Sequence, residues 1–181
     1  ATATSLIDVT AALADHNLVI GYGGLVFNMM PQLRERIPAH YLGPTIEGAV
    51  AIVEHLIQTQ PPPPTIKHTD ASHNQALEQF EQQRSLIESH VWSSYAAAGK
   101  ATDQLAEINL DLAGIISAAL KFGDSELLSR DMKWIHYLMT SYRLSETEAQ
   151  DYIAAYSQAA RVHLGDSTQM IVDWLGELSS N

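Results

Sequence analysis

The sequence predicts a mainly helical protein: the second half of a doubly wound α/β unit, joined to a five-helix domain of globin-like or bundle type. Three observations predict it. Residues 18–28, LVIGYGGLVFN, read as a short strand covered on both faces that runs into paired glycines. Four consecutive prolines, Pro61, Pro62, Pro63 and Pro64, cannot continue a helix and interrupt the chain. Beyond them, apolar residues recur at spacings of three and four with no strand-like alternation.

The elements follow in order. Residues 5–15 place Leu6, Val9, Thr10 and Leu13 on one face, with Ser5 as an N-cap, so a helix leads into the first strand. Gly23 and Gly24 remove the side chains at the strand's C-terminal end, where open α/β sheets place their ligands. Pro31 opens a short helix over residues 31–36, and IPAHYLG, residues 37–43, reads as a second strand. Thr45 caps a helix over residues 45–58, whose inner face carries Ala49, Ile52, Val53 and Leu56. Residues 1–59 thus form the α/β part, and residues 60–71 form a stiff proline-rich linker.

Residues 72–181 read as five amphipathic helices. The first, 72–98, carries Leu77, Phe80, Arg84, Ile87, Val91 and Tyr95 and stops at Gly99. The second, 102–122, carries Leu105, Ile108, Leu112, Ile115, Ile116 and Ala119 and stops at Gly123. The third spans 125–142. A capping box of Ser145 and Glu148 opens the fourth, which runs to a stop at Gly165, and residues 166–178 form the last.

Composition narrows the function classes. Of 181 residues, 46% are hydrophobic and 17% charged, enough to bury a core. The net charge of −11 and the absence of a basic patch argue against nucleic-acid binding by this segment. With no cysteine there are no disulfides, thiolate metal sites or thioether-linked tetrapyrroles. No window is long enough to span a membrane. The start, ATATSL, lacks a signal peptide and reads as a trimmed piece of a longer cytoplasmic protein.

The residues GYGGLVFN, then PQLRERIPAHYLG, then a helix, resemble the C-terminal part of a cobalamin-binding Rossmann domain, as in methionine synthase and the vitamin B12 photoreceptors. The resemblance covers residues 1–58. It implies that Gly23, Gly24 and Phe27 lie beside the dimethylbenzimidazole tail of cobalamin. The chain has no Asp-x-His-x-x-Gly motif and no Ser-x-Leu at the family's distance before the glycines, so it supplies one wall of the pocket and no axial ligand. A helical domain following a cobalamin domain is similar to the arrangement in photocobilins, which implies light sensing with biliverdin held, for want of cysteine, non-covalently. The other half of the α/β domain, or an effector domain, is then an expected partner, and a homodimer is possible.

The helical part has the residue types that a linear tetrapyrrole needs. Aromatic walls and hydroxyls come from Trp92, Tyr95, Trp134, Tyr137, Tyr142, Tyr152 and Tyr156, polar contacts from His90, His136 and His163, and cations for propionates from Arg84, Lys133, Arg143 and Arg161. The densest run is DMKWIHYLMTSYR, where His136 and Arg143 stand two turns apart. Each has a plainer reading: Trp134 and Trp174 as core, Tyr152 and Tyr156 as a half-buried stripe, and the three histidines as structural hydrogen-bonding or exposed groups. His16, His40, His55, His68 and His73 read as surface or linker residues.

Catalysis is not expected. There is no Gly-x-Ser-x-Gly elbow, Walker A motif or complete Gly-x-Gly-x-x-Gly, and no histidine pair at i, i+4. Two alternatives remain open beside the tetrapyrrole sensor: a colourless helical interaction or dimerisation module, and a haem-binding globin-like sensor with His90 or His163 as proximal ligand.

Overall fold

In the computed structural model, residues 3–100, 102–123, 141–142 and 144–180 are described. The predicted helix over 125–142 therefore lies almost wholly outside the described residues. The chain is mainly helical and divides into two compact units, Ala1–Thr69 and Asp70–Asn181. Among the described residues no helix is long and apolar enough to cross a membrane.

The first unit comprises α1 (Ala3–Ala12), a 3-10 turn (Ala14–His16), β1 (Gly21–Tyr22), α2 (Leu25–Met29), a 3-10 helix (Pro31–Arg36), β2 (His40–Tyr41) and α3 (Ile46–Thr59). The two strands pair in parallel, Gly21 with His40 and Tyr22 with Tyr41. Thr45 caps α3 as its sequence indicates, its hydroxyl accepting from the Gly48 N–H.

The predicted strand ahead of Gly23 and Gly24, read as covered on both faces, is corrected. Only Gly21 and Tyr22 are extended in a ladder, Leu18 is 52% and Val19 39% exposed, and Leu25–Met29 is helical. Among the described residues β1 pairs with β2 alone, and the exposure of Leu18 and Val19 shows that nothing packed on the sheet covers both faces of the apolar run before it. On α3, Leu56 is buried and Val53 borders an open cavity together with Ile57, while Ile46 and Val50 are exposed. In α1 the buried member is Thr10, whose hydroxyl donates to the Ile7 carbonyl, and Val9 is exposed.

Residues after the prolines are tied to this unit. The Lys67 N–H donates to the Glu35 carbonyl at 2.8 Å, and Arg36 Nη1 donates to the carbonyls of Lys67 and His68 at 3.2 and 2.9 Å. Lys67 and Glu35 also form an ion pair. These bonds hold residues 67 and 68 against the 3-10 helix.

The second unit comprises α4 (Ala71–Ala97), α5 (Leu105–Phe122), α6 (Glu146–His163), a 3-10 turn (Asp166–Thr168) and α7 (Gln169–Ser180). Asp70 caps α4 by accepting from the His73 N–H, and Gly123 closes α5 at a φ of 59°. The capping box opening α6 forms in both directions: Ser145 Oγ accepts from the Glu148 N–H, and the Glu148 carboxylate accepts from the Ser145 N–H. The stop at Gly165 is corrected. Its φ is −105°, and α6 ends because Leu164 is already extended.

Tyr95 near the end of α4 meets Tyr152 near the start of α6, and Gln79 near the start of α4 bonds Ser167 just beyond α6. The two helices therefore run antiparallel. One cluster fills the space between α4, α5, α6 and α7, built on Phe80, Ile87, Ile108, Leu112, Ile116, Tyr152, Tyr156, Ile171 and Leu175. Each large apolar side chain so buried contributes about 1.5–3 kcal/mol.

Candidate functional site

In the first unit the candidate site is the loop where β1 gives way to α2. Gly24 has φ 134° and ψ 150°, a region open in practice to glycine alone. A Cβ on Gly23 would meet nothing within 4 Å, and both glycines are exposed. The loop thus offers bare backbone at the C-terminal end of a parallel strand, where a flat ring could approach closely.

Phe27 is placed differently. It is 4% exposed and meets Tyr22 edge-on, with ring centroids 4.7 Å apart, so it supports the loop from beneath. Three further residues pin that loop. Arg34 Nε donates to the Phe27 carbonyl at 2.8 Å, and its guanidinium lies 4.0 Å over the Tyr41 ring. Tyr41 donates its hydroxyl to Asn28 Oδ1, and Asn28 Nδ2 donates to the Pro44 carbonyl at 3.2 Å. Burial, partly offset by the Arg34 charge, pushes the Tyr22 phenol up to about 12. The sequence reading passed over Arg34, Asn28 and Tyr41; the available signal was that Asn28 and Arg34 are polar residues between two predicted strands.

The first unit also holds an open cavity of about 700 Å³ bordered by α1, α3 and the prolines. Leu13, Leu18, Ile20, Leu42, Leu56 and Pro62 are among its walls.

In the helical unit the structure brings His90 and His163 together. His90 Nδ1 lies 3.2 Å from His163 Nε2, with ring planes at 83° and both residues half-buried. These histidines stand 73 positions apart and come from α4 and α6. Tyr95, Tyr152 and Tyr156 form an aromatic run with centroids 6.4 and 6.0 Å apart. Tyr152 and Tyr156 have no exposed surface, which corrects the half-buried stripe: they are core. Tyr152 donates to Asn109 Oδ1 at 2.8 Å, whereas the Tyr156 hydroxyl is buried with no hydrogen-bond partner. Burial pushes both phenols well up, and it pushes Tyr95 to about 12 with help from the Asp151 and Glu148 charges.

Trp134, His136 and Arg143 lie outside the described residues, as do Lys133 and Tyr137. Trp174 is buried in the core and Trp92 is 42% exposed. Arg84 donates to Glu88 at 2.7 Å on its own helix. Tyr142 donates to Asp111 at 2.7 Å, which pushes its phenol up to about 12. His73, read from sequence as a linker residue, sits in the first turn of α4 with its Nδ1 2.8 Å from Asp70 Oδ1. The Nε2 atoms of His40 and His73 are buried without partners.

No protein-family model matches the chain, and no curated protein is detectably similar to it in sequence.

Proposed function

We propose that the chain is a cofactor-binding sensory module of photoreceptor type. Its first unit supplies one wall of a cobalamin pocket, as the latter part of a Rossmann-like cobalamin domain, and its helical unit holds biliverdin without a covalent link. The carrying observation is the end of β1. A parallel strand runs into an open Gly23 and a Gly24 whose φ of 134° excludes other residues, with Arg34, Tyr41 and Asn28 holding the loop in place. That arrangement lets a planar heterocycle rest on backbone.

For the helical unit the reading is supported by His90 and His163, half-buried polar groups side by side on two long helices. Tyr152 and Tyr156 are spoken for by the core, so bilin contacts fall to residues nearer the surface, with Tyr95 at the margin. The decisive experiment is absorbance of the purified chain mixed with biliverdin and, separately, with cobalamin. A bound, red-shifted biliverdin band is expected; its absence removes the bilin reading. Cobalamin is expected to associate only weakly, since one wall of the pocket is present.

A second reading, an interaction module without chromophore, is favoured by α3. Ile46, Val50, Val53 and Ile57 are 84%, 57%, 37% and 69% exposed and follow one another at the spacing of a helix-pairing seam. It predicts a colourless protein whose sedimentation depends on concentration and loses that dependence in Val50→Glu.

A further inference from the structure

We propose that His90 and His163 form a two-imidazole chelate for a divalent transition metal of the zinc type. Two neutral imidazoles 3.2 Å apart can share a single proton, one ring donating and the other accepting. The same separation suits two lone pairs converging on one ion. With the metal about 2.0–2.1 Å from each nitrogen, the gap subtends an angle of roughly 100°, close to tetrahedral.

The mounting is rigid, which a chelate requires. His90 lies on the 27-residue α4 and His163 ends the 18-residue α6, and the two helices pack into one core around Phe80, Ile87 and Tyr156. Little side-chain freedom remains to be lost on binding. Both residues are half-buried, so part of the pair stays open to solvent.

No group of three His, Cys, Asp or Glu among the described residues could hold a metal, so two coordination positions are left to water or to a small added ligand. The site is therefore open, of the kind that exchanges metal, and it is weaker than a closed structural site. Imidazole ligands and the order of divalent-metal affinities place copper(II) above zinc(II) here. Because the metal spans α4 and α6, binding ties the two helices together and raises thermal stability with metal concentration. The chelate needs no bilin and stands whether or not one binds.

The test uses the full chain without added biliverdin, titrated with zinc chloride at about pH 7.5 and followed through the histidine-ring nitrogens by NMR. The expected result is specific to two atoms: His90 coordinates through Nδ1 and His163 through Nε2, and the remaining histidine rings do not respond. His90→Ala and His163→Ala, shown to be folded by far-ultraviolet circular dichroism, each weaken zinc binding at least about tenfold. Zinc that shifts neither ring, or shifts other rings instead, overturns the proposal, and that reading comes from the unaltered protein even where a variant fails to fold.

Discussion

Tyr152 donates its hydroxyl to Asn109 Oδ1 at 2.8 Å, joining α6 to α5 where neither side chain is more than 1% exposed. A polar pair so deep is satisfied only as a pair. Tyr152→Phe strands the Asn109 carbonyl oxygen and is expected to cost about 1–3 kcal/mol. Asn109→Leu strands the Tyr152 hydroxyl at a similar cost, and the double variant is expected to lose less than the sum of the two. Urea unfolding of the three variants measures this; strict additivity would show the pair to be uncoupled.

One turn further along α6 the same substitution should act differently. The Tyr156 hydroxyl is buried without a hydrogen-bond partner, so Tyr156→Phe removes a desolvated group and forfeits no bond. Its unfolding midpoint is expected to match or exceed that of the parent chain. A loss above about 1 kcal/mol would reveal a partner for this hydroxyl.

At the start of α6, Ser145→Ala breaks the capping box from one side and is expected to cost about 1 kcal/mol in chemical denaturation. The reciprocal bond is pH-dependent. Hydrogen bonds from the Ser145 hydroxyl and N–H hold the Glu148 carboxyl below its ordinary value. A carboxyl whose folded value is depressed stabilises the fold above its ordinary value and loses that contribution as pH falls through the depressed one. Glu148→Gln should therefore flatten the acid limb of the stability profile and leave the neutral plateau closer to the parent than Ser145→Ala does. An unchanged acid limb would refute the link.

The two neighbouring glycines should also separate. Gly24→Ala forces a side chain into a glycine-only conformation and is expected to cost about 1–3 kcal/mol. Gly23→Ala meets no atom within 4 Å and should change stability by less than about 0.5 kcal/mol. Thermal melts of both variants check the contrast, and equal losses would mean that the loop's conformation is not as described.

Much of the helical unit was legible because its signals are local. Ser145 begins α6 and Gly123 ends α5 through bonds that reach no more than four residues along the chain. Asn109 was not singled out, although a polar residue in the apolar stripe of Leu105, Ile108 and Leu112 is a signal for a buried hydrogen bond. The first unit was less legible. LVIGYGG has the composition of a covered strand, but cover comes from elements packed on the faces of a sheet, and Leu18 and Val19 stay exposed.

The sequence by itself determined the mainly helical character, the Thr45 cap, the capping box of Ser145 and Glu148, the stop at Gly123, and the bare backbone at Gly23 and Gly24, because propensity, capping and the lack of a Cβ are properties of a few adjacent residues. Only the tertiary structure decided that Val53 borders an open cavity while Phe27 is buried, that Tyr152 has a partner where Tyr156 has none, and that His90 meets His163. Those outcomes depend on which faces of distant helices come together, and burial and hydrogen-bond satisfaction between residues 73 positions apart leave no trace in local spacing.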